Sequence, residues 1–203
     1  DVLDLEDGSI RKGNEAHPLN LLVMGYYGGA GFEFTADGYF KAPLDHDAPL
    51  ESPCVFWEIG WGGAEVEVDP ETGEVTLLKL VVSGDAGKAI HPLVCQGQDE
   101  GAAMMGVSQA LFETMKYDGT RLTNGTPLSY RVPLASDMPS EFWSITQEQG
   151  HGPGPFGAKG MGEGGMLPVA SAVANAIEDA VGIRLTELPL SPQRVLAAIK
   201  AKS

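Results

Sequence analysis

One glycine-rich stretch constrains the fold of this chain more than any other feature of its sequence. Eight of the eighteen residues from Glu148 to Gly165 are glycine. Glycine loses more conformational freedom on folding than any other residue and has no side chain to pack, so this stretch predicts neither helix nor strand. We expect a long loop here, followed by an Ala/Val-rich helix over residues 166–181 that ends at Gly182.

The residues around this loop predict a mixture of strands and helices. Residues 64–69 alternate small or apolar with acidic side chains, and a turn at Pro70–Gly73 leads into the mostly apolar run 74–83. This pattern is typical of a β-hairpin. The other predicted elements are a helix over 93–115, strands over 141–147 and 184–190, and a last helix from 192 to about 201.

Residues 1–63 show no such periodic pattern. Aromatic and turn-forming residues alternate there without a helical stripe. A segment of this length without secondary structure of its own is uncommon in a compact domain. We therefore expect two regions: an irregular or extended segment, 1–63, that packs on a partner or on a region outside this chain, and a domain, 64–203.

Composition excludes several classes of function. Thirteen Lys and Arg against 28 Asp and Glu give a formal net charge of −15, which argues against a nucleic-acid partner. No apolar run is long enough for a membrane span, and no secretory signal is visible, so we expect a cytoplasmic protein. Cys54 and Cys95 predict reduced thiols, and the four scattered histidines predict no protein-bound metal.

Two stretches carry candidate chemistry. Glu163 stands between glycines, just before the predicted helix whose N-terminus would add partial positive charge; bare amides and a carboxylate suit an anionic cofactor and a general base. A solvated surface loop fits the same residues. Gln96 and Gln98 flank Gly97 near the start of the helix over 93–115, where an amide could read a heterocycle or phosphate, or simply be solvated.

Four segments together resemble the C-terminal part of the molybdopterin-binding large subunit of molybdenum hydroxylases, the xanthine dehydrogenase, aldehyde oxidase and aerobic carbon monoxide dehydrogenase family. The first is the hairpin VEVDPETGEV, and the second is DAGKAIHP running into GQDEG. The third is the loop GAKGMGE, residues 157–163, and the fourth is the ending LPLSP. The resemblance covers residues 64–198. The sequence departs from the family at His91, where Asn is common, and at Gly164–Gly165, where Pro-Pro is frequent.

The resemblance implies an α+β fold in which mixed sheets pack with helices, and it implies roles for individual residues. Glu163 holds the place of the family's catalytic base. Gln98 holds the place of a glutamine that contacts the pterin, beside Gly97. The loop residues Lys159, Gly160, Met161 and Gly162 would bring the chain close to the cofactor. In this family the molybdenum takes no protein ligand.

The resemblance also implies a function and its partners. We expect part of an oxidoreductase that hydroxylates an N-heterocycle or oxidises an aldehyde with oxygen from water. The cofactor would be molybdenum–molybdopterin, either as such or as a dinucleotide such as the cytosine dinucleotide. Iron–sulfur clusters and FAD would lie on partner subunits, and the remaining molybdopterin-binding chain or region would complete the site. The alternatives are a non-catalytic structural or assembly segment of such a complex, and a generic acidic binding domain.

Overall fold

The structure of the chain is a computed structural model that describes residues 4–29, 37–42, 44 and 54–202. Two compact units divide between Tyr39 and Phe40. Of the helices in these described ranges, none has the length and apolar character needed to cross a membrane.

The N-terminal unit contains regular structure, contrary to the prediction that 1–63 is irregular. Strands β1 (Asp4–Glu6), β2 (Ser9–Lys12) and β3 (Glu15–Pro18) form an antiparallel sheet, and helix α1 spans Leu19–Tyr27. The strands are too short to produce a periodic signal, and α1 buries none of its residues. Within the segment in which we expected irregular structure, residues 1–3, 30–36, 43 and 45–53 lie outside the described residues.

A three-stranded mixed sheet forms the centre of the second unit. Strands β4 (Gly60–Val68) and β5 (Val75–Asp85) pair antiparallel, which confirms the predicted hairpin. Two short strands, β6 (Tyr117–Asp118) and β7 (Arg121–Leu122), form a separate ribbon. Strand β8 (Glu141–Gln147) pairs parallel with β5 and completes the sheet.

Three helices accompany this sheet. Helix α2 spans Pro92–Leu111, α3 spans Val169–Val181 and α4 spans Pro192–Lys202. Gly182 ends α3 in the left-handed conformation, as predicted. Their buried side chains join those of β5 in one apolar core, which includes Leu80, Val82, Ala103, Val107, Val169, Val173, Ile177 and Val195. The predicted α+β class, with mixed sheets packed with helices, is confirmed.

Two predicted elements differ in the structure. Helix α2 ends four residues before Met115, because the side chain of the buried Asn124 accepts the amide of Lys116 (2.8 Å) and donates to the carbonyl of Thr114 (2.8 Å). The predicted strand over 184–190 does not form, and this segment is irregular. Its last residue, Leu190, instead donates its amide to the carbonyl of Ala110 at the end of α2 (2.6 Å).

The parallel pairing of β5 and β8 determines where the loops meet. Asp85, the last residue of β5, is the register partner of Gln147, the last residue of β8. The loop before α2 and the glycine-rich loop therefore leave the sheet side by side. Ala86 donates its amide to the carbonyl of Gln147 (3.0 Å) and ties the two loops together at their start.

Candidate functional site

The glycine-rich loop folds back over the loop that follows β5. Gly150 donates its amide to the carbonyl of Gly87 (2.8 Å), and Lys159 donates its amide to the carbonyl of Ala86 (2.9 Å). Gly87 has a φ of +62°, and a Cβ atom at this position would lie 2.3 Å from the carbonyl oxygen of Gly157. Only glycine fits here, both in conformation and in space. The two motifs DAGKAIHP and GAKGMGE are thus in direct contact.

A buried ion pair joins the same two motifs. The Lys159 Nζ lies 2.5 Å from Asp85 Oδ2 and 2.9 Å from the carbonyl oxygen of Trp57, and both charged side chains are 10% exposed. Asp85 Oδ1 also accepts the amide of Gly87 (2.8 Å). Burial by itself would raise the pKa of Asp85, but the hydrogen bonds from Lys159 and Gly87 and the nearby positive charge hold it below its ordinary value.

Two further acidic residues, Glu58 and Asp99, lie directly against the glycines that follow Glu163. A Cβ atom on Gly164 would lie within 3 Å of both carboxyl oxygens of Glu58, and a Cβ on Gly165 would lie 2.8 Å from the carbonyl oxygen of Asp99. Gly164–Gly165, the departure from the family's frequent Pro-Pro, therefore leaves room for two acidic residues. No proline ring would fit at either position in this arrangement.

Both of these carboxyl groups are held in unfavourable surroundings for a charge. Burial raises the pKa of Glu58, as do the charges of Asp99 and Asp85, while Lys159 opposes the shift. Its Oε1 is buried without a hydrogen-bond partner. Burial also raises the pKa of Asp99, which is 2% exposed, and the hydroxyl of Ser144 (3.4 Å) offsets part of this effect.

Glu163 itself is exposed at the start of a short 3₁₀ turn, Gly164–Met166. Its backbone carbonyl accepts the amide of Met166 (3.0 Å), but its side chain forms no capping hydrogen bond. Helix α3 starts only at Val169, with Pro168 at its N-cap position. Capping a helix is therefore not what the Glu163 carboxylate does in this structure, and it is free to face a ligand.

The predicted contact residues on α2 are also exposed. Gln98 and Gly97 lie on its open side, and a Cβ on Gly97 or Gly101 would meet no atom within 4 Å. Gly106 is different, because its Cβ would lie 2.6 Å from Val169. Gly97, Gly101 and Gly106 therefore do not share one side of the helix, since nine residues at 3.6 per turn place Gly106 about half a turn away from Gly97.

The remaining predicted loop residues have different surroundings. Gly160 packs near the Phe56 ring, since its Cβ would lie 2.9 Å from that ring's Cζ. The methyl group of the half-buried Met161 would lie 3.0 Å from a Cβ on Gly84. Gly162 is exposed and open. Lys159 is the one charged residue among the predicted cofactor contacts, and its ammonium is bound to Asp85 within the chain.

Tertiary packing brings the stretches around Gln98 and Glu163 together. Asp99, the neighbour of Gln98, contacts Gly165, which follows Glu163 by two residues. Asp85 and Asp99 stood within the recognised motifs but had no assigned role, and Glu58 carried no signal in the sequence. Within the described ranges, no group of three or more His, Cys, Asp or Glu side chains is placed to hold a metal ion.

Comparisons with known proteins agree with these motifs. The family model of the molybdopterin cofactor-binding domain matches residues 1–139. Subunit gamma of the 6-hydroxypseudooxynicotine dehydrogenase complex of Paenarthrobacter nicotinovorans is 34% identical over 169 residues, which are 78% of this chain and 21% of that protein. The match to the family model also includes the N-terminal 63 residues, which lie outside the four motifs that carry the resemblance.

Solved structures show the same relationship in three dimensions. The aldehyde oxidoreductase from Desulfovibrio gigas superimposes with a TM-score of 0.64 at 31% identity, covering 73% of this chain and 16% of that one. Quinoline 2-oxidoreductase from Pseudomonas putida 86 has a TM-score of 0.71 at 24% identity over 98% of this chain and 26% of its own, a likeness of fold. The chain thus spans about a sixth to a quarter of the length of the proteins it matches. It belongs to the molybdopterin cofactor-binding domain family, as a molybdopterin-binding piece of the xanthine oxidase family of molybdenum hydroxylases.

Proposed function

We propose that this chain forms one wall of the active site of a molybdenum hydroxylase, with Glu163 as the general base. The observation that carries this proposal is the position of Glu163: an exposed carboxylate without a capping bond, on a turn that packs beside Asp99 of α2. A base must be accessible to its reacting partner and held in position, and the exposure of this carboxylate together with the packing of its turn against α2 supports this role.

The residues present fit a molybdopterin that approaches from outside the chain. Gln98 offers an amide group to a pterin, which presents hydrogen-bond donors and acceptors in a plane. At Gly97 and Gly162 the main chain is open to a ligand, since a Cβ at either position would meet nothing. We assign these three residues, with Gly160 and Met161, to cofactor contact. We propose molybdenum–molybdopterin as the cofactor, either as such or as a dinucleotide such as the cytosine dinucleotide.

The charges of the wall limit what it can bind. Glu58, Asp85, Asp99 and Glu163 are acidic, and the ammonium of Lys159 is committed to Asp85. An anionic phosphate gains little from this surface, so cations that hold it must come from another region or chain. This supports our proposal that the remaining molybdopterin-binding chain or region completes the site.

The bound cofactor would accept the two electrons of the oxidation. Glu163 would take up the proton of the water-derived oxygen nucleophile as that oxygen bonds to an electron-poor carbon of the substrate, and the C–H bond of that carbon would break with its electron pair passing to the cofactor. The names of the similar proteins include an aldehyde oxidoreductase, a quinoline oxidoreductase and a 6-hydroxypseudooxynicotine dehydrogenase. We therefore propose an N-heterocycle or an aldehyde as substrate, and iron–sulfur and flavin subunits as the route by which electrons leave.

Replacing Glu163 by Gln in the assembled enzyme tests the proposal. Gln keeps the size of the side chain but cannot accept the proton, so the rate should fall by about 10²–10⁴. Molybdenum content should stay near that of the wild type. The measurement is the single-turnover reduction of the metal centre by substrate, with Glu71→Gln, an exposed turn position, as the matched control.

A rate for Glu163→Gln within tenfold of the wild type would refute the general-base role. If molybdenum content is also unchanged, the result would favour the alternative that this chain is a non-catalytic structural segment of the complex.

A further inference from the structure

The ammonium of Lys159 is used within the chain rather than presented outward. It donates to Asp85 Oδ2 at 2.5 Å and to the carbonyl oxygen of Trp57 at 2.9 Å, and the side chain is 10% exposed. Two of the three donors of an ammonium group are therefore bound. A lysine in this position has little left to offer a cofactor.

The backbone of the same residue is held as well. The amide of Lys159 donates to the carbonyl of Ala86 (2.9 Å), and the side chain packs where a Cβ on Gly87 would otherwise lie. Lys159 is thus attached at both its main chain and its side chain to the end of β5 and the loop that follows. Because the Lys159 ammonium also donates to the Trp57 carbonyl, the segment before β4 is joined to the same lysine.

Glu163 follows this anchor by only four residues. On its other side, Gly164 and Gly165 lie against Glu58 and Asp99. The short span that carries Glu163 is therefore fixed at both ends. Loosening either end would let the carboxylate move relative to any ligand in front of it.

We infer that Lys159 is a positioning residue, which with Asp85 and the Trp57 carbonyl holds the Glu163 loop in place and does not contact the cofactor. This inference deepens the proposed function and rests on it. It revises the role that the resemblance implies for Lys159, and it explains why the two motifs occur together: one supplies the carboxylate and the other the ammonium. Breaking a buried pair leaves an uncompensated charge, so either partner alone should be insufficient.

The test uses Lys159→Met, Asp85→Asn and the double variant in the assembled enzyme. Each single variant should lower kcat by about 10-fold to 10²-fold, because a displacement of about 1 Å at a reacting group can cost that much. KM and molybdenum content should stay near wild type. The double variant should be no worse than Lys159→Met, since both changes remove the same contact. The control is Lys88→Met, which breaks an exposed pair with Glu148 on the same two loops and should have little effect.

Two results would overturn the inference. Loss of molybdenum in Lys159→Met but not in Asp85→Asn would make Lys159 a cofactor ligand. The second concerns amide hydrogen exchange over residues 157–165, which requires no turnover and should be faster in both single variants than in Lys88→Met. Unchanged exchange there would refute the anchor even if Glu163 proves essential, whereas faster exchange with a dispensable Glu163 would sustain the anchor and reject the proposed catalytic role.

Discussion

Replacing Gly106 by Ala tests how closely α2 approaches the start of α3. A Cβ at Gly106 would lie 2.6 Å from Val169 Cβ, 2.7 Å from Val169 Cγ2 and 3.0 Å from the carbonyl oxygen of Met166. Val169 is fully buried and β-branched, so it has little rotamer freedom with which to move aside. The carbonyl belongs to the turn that follows Glu163. Helix α2 must therefore shift against α3 to accept the methyl group.

The same substitution at Gly97 provides the matched control. Ala is favoured over Gly inside a helix by about 1 kcal/mol, and this gain applies to both positions. Overpacking typically costs about 1–3 kcal/mol. The short contacts at Gly106 involve a backbone carbonyl and the branched Cβ of Val169, which cannot easily move. We therefore expect an overpacking cost toward the upper end of this range. Gly106→Ala should therefore lower the free energy of unfolding by about 1–2 kcal/mol, and Gly97→Ala should raise it by about 1 kcal/mol.

Urea unfolding of both variants measures this difference. The urea midpoints of the two variants should move in opposite directions with unchanged m-values. The free energies of unfolding of the two variants should then differ by about 2–3 kcal/mol. Because Gly97 is also proposed to contact the cofactor, Gly101→Ala, equally open in the structure, repeats the stability test without that role. Equal stabilisation by Gly106→Ala and Gly97→Ala would show that α2 does not pack closely against Val169.

Two more residues of α2 yield predictions. Gln98→Ala should weaken cofactor binding by about 1–3 kcal/mol, which would be measured as reduced molybdenum content. The control Gln109→Ala, at another exposed position on α2, should retain full molybdenum content. Full molybdenum content in Gln98→Ala would contradict the proposal that Gln98 contacts the cofactor. Asp99→Asn should stabilise the protein more at pH 8 than at pH 4. Burial raises the pKa of Asp99 above the ordinary 3.8, so the folded state binds its proton more tightly, and stability is lost as pH rises through the raised pKa. A stability difference that does not change with pH between Asp99→Asn and the wild type would refute this.

Local patterns predicted the hairpin and the C-terminal helices correctly. Alternation over 64–69 and the turn at Pro70–Gly73 depend only on near neighbours, and β4 and β5 pair as expected. Gly182 ends α3 because its left-handed conformation is a property of the residue itself. The strand predicted over 184–190 failed for the opposite reason: Leu190 is buried in the core and donates its amide to the carbonyl of Ala110 at the end of α2. Apolar content alone does not distinguish burial in a strand from burial in a loop.

The sequence by itself determined the family and supplied the hypothesis that Glu163 is the general base, because motifs record which residue types a backbone and a cofactor require. It could not determine the roles of Glu58, Asp99 or Lys159. The Lys159 ammonium and the Asp85 carboxylate are 74 positions apart, and only the parallel pairing of β5 and β8 brings their loops together. Gly97 and Gly106 are identical in sequence terms, yet one lies open and the other packs against Val169. Tertiary structure decided these differences, because burial and partner distance depend on which elements pack together and not on local residue preference.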